Sequence, residues 1–324
     1  MKIGKAFELF VKHLLLNVGF SEVSSDGLYI FDGGPGQMIQ GMGEAHNADV
    51  LLEPPVQTPF YAKSRILIEC KDHRNPVSLN VLRSVLGLRE DINNFNIVDK
   101  LELETRRAQN RRNSIISNID KYTYQVAVAS LSGFSKQAQK FASAYRIPLI
   151  EFNKMPFWYK FNELFGIHTN TINTSHIRER DRVVLHEASE QDIVDLANDI
   201  GNKTVVAITV SGQLLFLYRE NGNENTFQDQ YELYWDNPSD PWRMKFDNSS
   251  YLFQLPEEIM KTWIESSSGE LELKKNAIEC KADFLSNMVV YYRELGLPMI
   301  KMISINKFQL NAAKRRLNND RGDN

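Results

Sequence analysis

The sequence has little cysteine, no long apolar run and no strong excess of one charge. Its 324 residues include two cysteines, Cys70 and Cys280. Two are too few for a disulfide framework, which is typical of a reducing compartment. No apolar run approaches the ~20 residues that cross a bilayer. The N-terminal segment soon carries Glu8 and Lys12, so it does not resemble a signal peptide. These absences predict a cytoplasmic protein with no membrane partner.

The net charge and the composition restrict the kinds of protein that this chain can be. A net charge of −3 excludes a uniformly basic coat for nucleic acid, although it is compatible with a local basic groove. The apolar content of 42% and the charged content of 24% are those of a folded globular protein. The length is enough for two ordinary domains.

The most informative stretch is an apolar run that ends in charged residues. Residues 66–68 are Ile-Leu-Ile, which predicts a buried strand. Glu69 and Lys71 follow, and they share one face because side chains alternate along a strand. A charged pair at the end of a core strand is costly unless it is paired or holds a metal. This position therefore predicts a functional site, with a structural salt bridge as the alternative.

A second short strand around Asp49 supplies another acid about twenty residues earlier. If the two strands pair, Asp49 and Glu69 converge on one cation beside Lys71. Two carboxylates suit a hard ion such as Mg²⁺. A neighbouring lysine can orient or deprotonate a water, or stabilise charge on a phosphate. The arrangement suits hydrolysis of a phosphodiester.

Further candidate residues come from a helix and a loop near this stretch. Residues 3–18 have apolar side chains at helical spacing, and Glu8 lies at the edge of the apolar face, from which it can reach the metal site. Glu44 and His46 lie in a glycine-containing loop that leads to Asp49. For each of these three residues the alternative is an ordinary solvated side chain.

A basic segment offers a possible contact with nucleic acid. Residues 105–119 contain no acid, and they carry Arg106, Arg107, Arg111 and Arg112. At helical spacing, residues 107 and 111 lie on one face, as do residues 108 and 112. Four arginines on one short segment can contact phosphates. The alternative is a solvated helical face.

The order of elements in the first 155 residues predicts a fold class. It is helix, antiparallel strands, helix, strand, helix, strand. A strand–helix–strand unit with a crossover implies a parallel pair of strands. The prediction is an α/β fold with a mixed sheet flanked by helices.

These features together resemble the PD-(D/E)xK restriction-endonuclease fold, and within it the Mrr-like catalytic domains. The resemblance covers about residues 1–155. It rests on Gly4 and Glu8, the glycine loop at 41–43 before Asp49, Glu69-Cys70-Lys71, and the segments 76–87, 132–135 and 147–151. Ala48 stands where the family often has proline, and residues 93–121 have the character of an insertion.

The resemblance implies a set of roles. Asp49 and Glu69 would be metal ligands, the carbonyl of Cys70 a further ligand, and Glu8 an auxiliary acid. Lys71 would activate water or stabilise charge. The expected chemistry is attack of a Mg²⁺-bound water on a DNA phosphate, with Mn²⁺ as a substitute ion, which leaves a 3′-hydroxyl and a 5′-phosphate. The implied function is a DNA endonuclease of restriction or phage-defence type.

The second half carries no recognisable catalytic motif. Residues 156–180 are predicted to be a linker, and residues 181–324 an α+β domain that recognises the target, senses a signal or dimerises. Residues 204–218 predict a β-hairpin, whereas residues 271–295 and 303–317 predict helices. A second Glu-Cys-Lys at 279–281 lies in the first of these helices with no acid-bearing strand before it, so we interpret it as coincidence.

The expected partners follow from one active centre per chain. A double-strand cut then needs two chains or two events, which predicts a homodimer. A motor, if one is needed, would be a separate defence subunit. Two alternatives stay open: a non-cleaving DNA-binding or scaffold subunit of a defence complex, and a structure-specific repair or RNA nuclease.

Overall fold

The computed structural model describes most of the chain. The described residues are 1–27, 29–34, 36–57, 63–72, 75–95, 122–153, 155–166, 187–210, 212–222, 224–225, 227–235, 240–255 and 269–319. Within them, the helices are α1 Ile3–Val18, α2 Leu79–Asn94, α3 Lys136–Tyr145, α4 Trp158–Leu164, α5 Glu190–Gly201, α6 Glu270–Asp283 and α7 Lys307–Asn319. The strands are β1 Ser21–Glu22, β2 Ile30–Gly33, β3 Gly36–Gln40, β4 Ala45–Asn47, β5 Val50–Glu53, β6 Lys63–Lys71, β7 Tyr122–Ser130, β8 Leu149–Glu151, β9 Thr204–Thr209, β10 Leu214–Asn221, β11 Gln230–Tyr234, β12 Trp242–Lys245, β13 Ser250–Phe253, β14 Asn287–Glu294 and β15 Leu297–Ile305.

A five-stranded mixed sheet forms the centre of the N-terminal half, in the order β1-β5-β6-β7-β8. β5 runs antiparallel to β6, with Val50 opposite Ile68. β6 runs parallel to β7, and β7 runs parallel to β8. The predicted α/β class with a mixed sheet is therefore confirmed.

Helices cover the two faces of this sheet because its strands bury apolar side chains on both sides. Ile66, Ile68 and Cys70 belong to a buried cluster that includes α1. Leu67, which points to the other face, belongs to a second cluster that includes α2 and α3. α1 presents a broad apolar stripe to the sheet and ends at Gly19, whose φ of 117° requires a left-handed conformation.

The C-terminal half contains a closed seven-stranded barrel, in the order β10-β13-β12-β11-β15-β14-β9. The predicted hairpin at 204–218 is confirmed, since β9 and β10 pair antiparallel with Ile208 opposite Leu214. The barrel interior is filled by large apolar and aromatic side chains, including Tyr231, Trp242 and Tyr251. These aromatics are therefore core residues.

Two predicted helices in this half are wrong in extent. The predicted helix 271–295 ends at Asp283 and is followed by β14, and the predicted helix 303–317 begins in β15. In β14, Met288, Val290 and Tyr292 are buried while the residues between them are more exposed. This period of two belongs to a strand, and the helical interpretation overlooked it.

The range 156–180, predicted to be a linker, begins with α4. Phe157, Trp158 and Phe161 are buried in the same cluster as α1. That cluster also contains Ile193 of α5 and Phe216 of β10. The N-terminal half and the barrel therefore share a continuous core. The division of the chain at 155 and 180 stays a prediction.

Candidate active site

The end of β6 holds the predicted Glu-Cys-Lys stretch. Glu69 and Lys71 lie on one face, and the Glu69 carboxylate accepts a hydrogen bond from Lys71 Nζ. Their side chains are 18% and 23% exposed, so solvent reaches both. Cys70 points to the other face and is buried in the core. The strand period therefore separates the charged pair from the thiol, as the sequence predicts.

Asp49 lies directly before β5, beside Glu69. Val50 pairs with Ile68, so the residue before Val50 and the residue after Ile68 are neighbours across the two strands. Asp49 Oδ2 accepts a hydrogen bond from the backbone nitrogen of Cys70 at 2.9 Å. Its Oδ1 accepts one from Asn47 Nδ2 at 3.1 Å. Both oxygens of this carboxylate are thus held in place.

Glu8 approaches the same point from α1. Its Oε2 accepts a hydrogen bond from Lys5 Nζ at 2.7 Å, and its side chain is 21% exposed. The charges of Asp49 and Glu8 both act on Glu69. The structure therefore brings together Asp49, Glu69 and Lys71 at the ends of two strands, and Glu8 on α1 is near enough for its charge to act on Glu69.

The surroundings of Glu69 disfavour the ionised form of its carboxyl group. Burial raises the pKa of Glu69, and the negative charges of Asp49 and Glu8 raise it further, while Lys71 acts in the opposite direction. Burial also raises the pKa of the Cys70 thiol well above its usual value. The group therefore favours an added positive charge, and the thiol is not a nucleophile at neutral pH.

A cavity of about 350 Å³ lies next to Asp49. It is lined in part by Glu8, Lys12, Gln37, Asn47 and Asp49. The cavity separates α1 from the small sheet β2-β3-β4, which gives Asp49 and Glu8 access to a ligand.

The donor set fits a hard divalent cation. Carboxylate oxygens and a backbone carbonyl are the ligands that Mg²⁺ prefers, and Mg²⁺ commonly takes one or two carboxylates together with waters and substrate phosphates. Among the described residues, no group of three or more His, Cys, Asp or Glu side chains is arranged to hold a metal ion. A site with two protein carboxylates does not require such a group, so the predicted Mg²⁺ and Mn²⁺ stay predictions.

The loop that leads to Asp49 is fixed by a residue that the sequence interpretation missed. His46 Nε2 and Asp91 Oδ2 of α2 are 2.7 Å apart, and the Gly43 nitrogen donates to Asp91 Oδ1 at 2.8 Å. The hydrogen bond from His46 is the main reason that the pKa of Asp91 is lowered. A Cβ at Gly41 would lie 2.0 Å from Asp91 Oδ2, so a side chain there would displace this contact. His46 therefore anchors the loop. Glu44 is exposed.

Asn47 is a second residue that the interpretation missed. Its only sequence signal is its position two residues before Asp49. The predicted DNA contacts Arg106, Arg107, Arg111 and Arg112 lie outside the described residues.

Comparisons with known proteins leave the identity of the chain open. No family model matches the chain, and no curated protein matches it. Among solved structures, the chain is similar to the crystal structure of the protein of unknown function AF1548, with 14% identity and a TM-score of 0.30. That match covers 61% of this chain and 97% of the other. A likeness this weak carries no argument about fold or function. In the part of the chain that the structure describes, no helix is long and apolar enough to cross a membrane.

Proposed function

We propose that this chain is a Mg²⁺-dependent DNA endonuclease with a restriction-endonuclease-like, Mrr-like catalytic domain. The observation that supports this most is the group at the ends of β5 and β6. Asp49 and Glu69 lie side by side, Lys71 contacts Glu69, and Glu8 approaches from α1. Acids flanking one lysine on a partly exposed strand end suit hydrolysis of a phosphodiester.

In this proposal Asp49, Glu69 and the carbonyl of Cys70 would hold the ion. Mg²⁺, or Mn²⁺ in its place, supplies a lowered pKa for water and neutralises charge on the phosphate. The hydrogen bonds from Cys70 N and Asn47 Nδ2 hold the Asp49 carboxylate in position. Holding this ligand beforehand lowers the entropy cost of binding the ion.

Lys71 has the second role. Its ammonium contacts Glu69 at the end of β6. From this position Lys71 Nζ would donate a hydrogen bond to the attacking water or to a phosphate oxygen. The bond that forms joins the water oxygen to phosphorus, and the bond that breaks joins phosphorus to the 3′ oxygen. The 3′ oxygen takes up a proton, which leaves a 3′-hydroxyl and a 5′-phosphate.

The partners belong to the proposal as well. The substrate is DNA, and a double-strand cut by one centre per chain needs a homodimer or two successive events. The barrel half recognises the target, senses a signal or contributes to the dimer, and separate defence subunits supply any motor activity. We place the protein in the cytoplasm.

Plasmid cleavage tests the proposal. Purified wild type is incubated with supercoiled plasmid and Mg²⁺, with Mn²⁺ and with EDTA, beside the Glu69→Gln variant. Wild type is expected to nick or linearise the plasmid with either ion, and neither the EDTA sample nor Glu69→Gln is expected to cut. Methylated plasmid, single-stranded DNA and RNA are included as further substrates.

The remaining outcomes separate the alternatives. Cleavage of RNA or single-stranded DNA alone supports a repair or RNA nuclease. If wild type binds DNA but cuts no substrate with any ion, the nuclease proposal is wrong and the scaffold role takes its place.

A further inference from the structure

The C-terminal helix α7 carries a concentration of positive charge that the catalytic proposal does not use. From Gly296 to Asn319 the sequence contains no acid. Four cations of α7 are exposed: Lys307, Lys314, Arg315 and Arg316. The chain as a whole has a net charge of −3. This helix is therefore a local positive surface on an otherwise slightly acidic protein.

Three of these cations share one face of α7 with an exposed aromatic ring. At about 100° per residue, Lys307, Lys314 and Arg315 fall within an arc of roughly 100°, and Phe308 lies at its edge. Leu310 and Ala313 are less exposed and mark the side that faces the protein. Phe308 is 85% exposed, so its ring is open to a partner. We call this face, formed by Lys307, Phe308, Lys314 and Arg315, the α7 surface.

Lys301, a cation of β15 in the same acid-free segment, has partners inside the protein. Lys301 lies 3.0 Å from Asp229 Oδ1 and also donates to the Phe227 carbonyl at 2.6 Å. It therefore has local partners within the barrel. The cations of the α7 surface lie instead at exposed positions of a helix without any acid of its own.

We infer that the α7 surface is a docking surface for the sugar–phosphate backbone of DNA. Exposed cations on one helix face can neutralise phosphates of the backbone and release counterions when they bind. An exposed aromatic ring among the cations favours DNA over an acidic polypeptide, because a phenylalanine ring can insert between base steps of a duplex. The choice of DNA as the nucleic acid rests on the proposed function.

The α7 surface and the candidate active site are close enough for one duplex to reach both. The β14–β15 hairpin contacts the end of α1: Arg293 Nη2 donates to the Leu16 carbonyl at 3.3 Å. From there α1 leads back to Glu8 and β15 leads on to α7. Rises of ~1.5 Å per helical residue and ~3.3 Å per strand residue, with the reach of the Arg293 side chain added, put the two sites at most roughly 70 Å apart along this path. This corresponds to about 20 base pairs of duplex.

The test is DNA binding in EDTA, which separates binding from cleavage. A fluorescent duplex of about 30 base pairs, long enough to reach both sites, is titrated with wild type at several salt concentrations. The test variant carries Lys307→Gln, Lys314→Gln and Arg315→Gln. The matched control carries Lys140→Gln, Lys203→Gln and Lys245→Gln, which removes the same charge from exposed positions elsewhere. Glutamine has nearly the helix propensity of lysine and arginine, so α7 is expected to stay folded.

The test variant is expected to bind roughly 10- to 100-fold more weakly at about 0.1 M salt, with a salt slope smaller by about 2 to 3. The control variant is expected to bind as wild type does. Circular dichroism checks that all three proteins have the same helix content, and Phe308→Ala reports on stacking without any change of charge.

The outcomes separate this inference from the proposed function. If the test and control variants bind DNA equally well, the inference is wrong, whatever the plasmid assay shows. If the test variant loses DNA binding while wild type cuts nothing, the inference stands and the nuclease proposal falls. If poly-glutamate competes as well as DNA at equal charge, the surface takes acidic polypeptides and the inference is overturned.

Discussion

The tripeptide Glu-Cys-Lys occurs in both halves of the molecule, and its two copies behave differently. In β6, Glu69 and Lys71 share a face and contact each other. In α6, the same spacing separates Glu279 and Lys281 by about 200° around the helix. Glu279 pairs with Lys275 at 3.6 Å on the surface. Lys281 Nζ instead donates to the Leu233 carbonyl at 2.6 Å and lies 5.8 Å from the Trp242 ring centroid.

The comparison teaches that the period of the backbone decides what a short motif can do. A strand brings residues two apart to one face, whereas a helix brings together residues three or four apart. The strand copy also has Asp49 on the neighbouring strand and Glu8 on a helix beside it. The helix copy has the aromatic wall of a filled barrel beside it. The same three residues therefore form part of a candidate active site in one half and make structural contacts in the other.

The largest expected effect is on the rate of plasmid cleavage. It distinguishes an acid of the candidate active site from an acid of the barrel half. Asp49→Asn is expected to lower the plasmid cleavage rate about 10³-fold or more, because it removes a charge that would hold the ion in the proposed site. The matched variant is Asp229→Asn, whose carboxylate is exposed and pairs with Lys301. It is expected to leave the rate unchanged. Equal loss of activity in both variants would mean that Asp49 has no special role.

A second comparison concerns stability. Trp242 is buried in the barrel, with its ring stacked on Trp235 at a centroid distance of 5.1 Å. Trp242→Ala is expected to lower the free energy of unfolding by about 3–5 kcal/mol, measured by urea denaturation. Tyr234→Ala removes a half-exposed aromatic from the same region and is expected to cost less than about 1 kcal/mol. A small effect at Trp242 would contradict the filled barrel.

A third prediction uses the raised pKa of Glu69, whose ordinary value is 4.5. Without an ion, the folded state holds this proton more tightly than the unfolded state does. The stabilising contribution of the carboxyl is therefore complete below the ordinary pKa and is lost as the pH rises through the raised pKa.

In the proposed site Mg²⁺ would bind the ionised carboxyl, so its stabilising effect is expected to have the opposite pH dependence. At mildly alkaline pH, Mg²⁺ well above its Kd is expected to add about 2–3 kcal/mol of stability. This gain is expected to disappear as the pH falls through the raised pKa of Glu69, above the value for a free glutamate. Thermal denaturation at a series of pH values measures it. Glu69→Gln serves as the control, and a metal-dependent stabilisation of the same size in this variant would contradict the assignment.

The smallest predicted effect concerns Asn47. Its amide donates to Asp49 Oδ1, so Asn47→Ala is expected to weaken Mg²⁺ affinity about tenfold. Calorimetric titration of the ion measures this. Asn94→Ala, which removes a side chain that donates to the Glu90 carbonyl of α2, is the matched control. If Asn47→Ala retains wild-type affinity but binds DNA less well, Asn47 acts on DNA and not through Asp49.

Local patterns predicted much of the first half. The stripe of apolar residues in α1 and the alternation after Ile68 specify both the elements and the faces of Glu8, Glu69 and Lys71. The prediction that Asp49 and Glu69 lie close together needed one further assumption, that the two strands pair. That pairing is antiparallel and is confirmed.

Other features depend on contacts between distant parts of the chain and have no local signal. Asp91 lies in α2 and anchors a loop 45 residues earlier through His46. The closure of the barrel depends on a short parallel pairing of β11 with β15, at Tyr231 and Ile305. Residues 271–295 and 303–317 were predicted to be helices, whereas burial in the barrel selects strands for β14 and β15.

The most direct test of the account compares the two lysines of the repeated tripeptide. Lys71→Ala and Lys281→Ala are prepared in parallel, and their single-turnover rates of plasmid cleavage with Mg²⁺ are measured at a temperature at which both are folded. The account predicts that Lys71→Ala loses at least about 10²-fold in rate, whereas Lys281→Ala cuts at the wild-type rate and has a lower Tm. If Lys71→Ala cuts as fast as wild type, or if Lys281→Ala loses as much activity as Lys71→Ala, the assignment of the active site to the end of β6 is wrong.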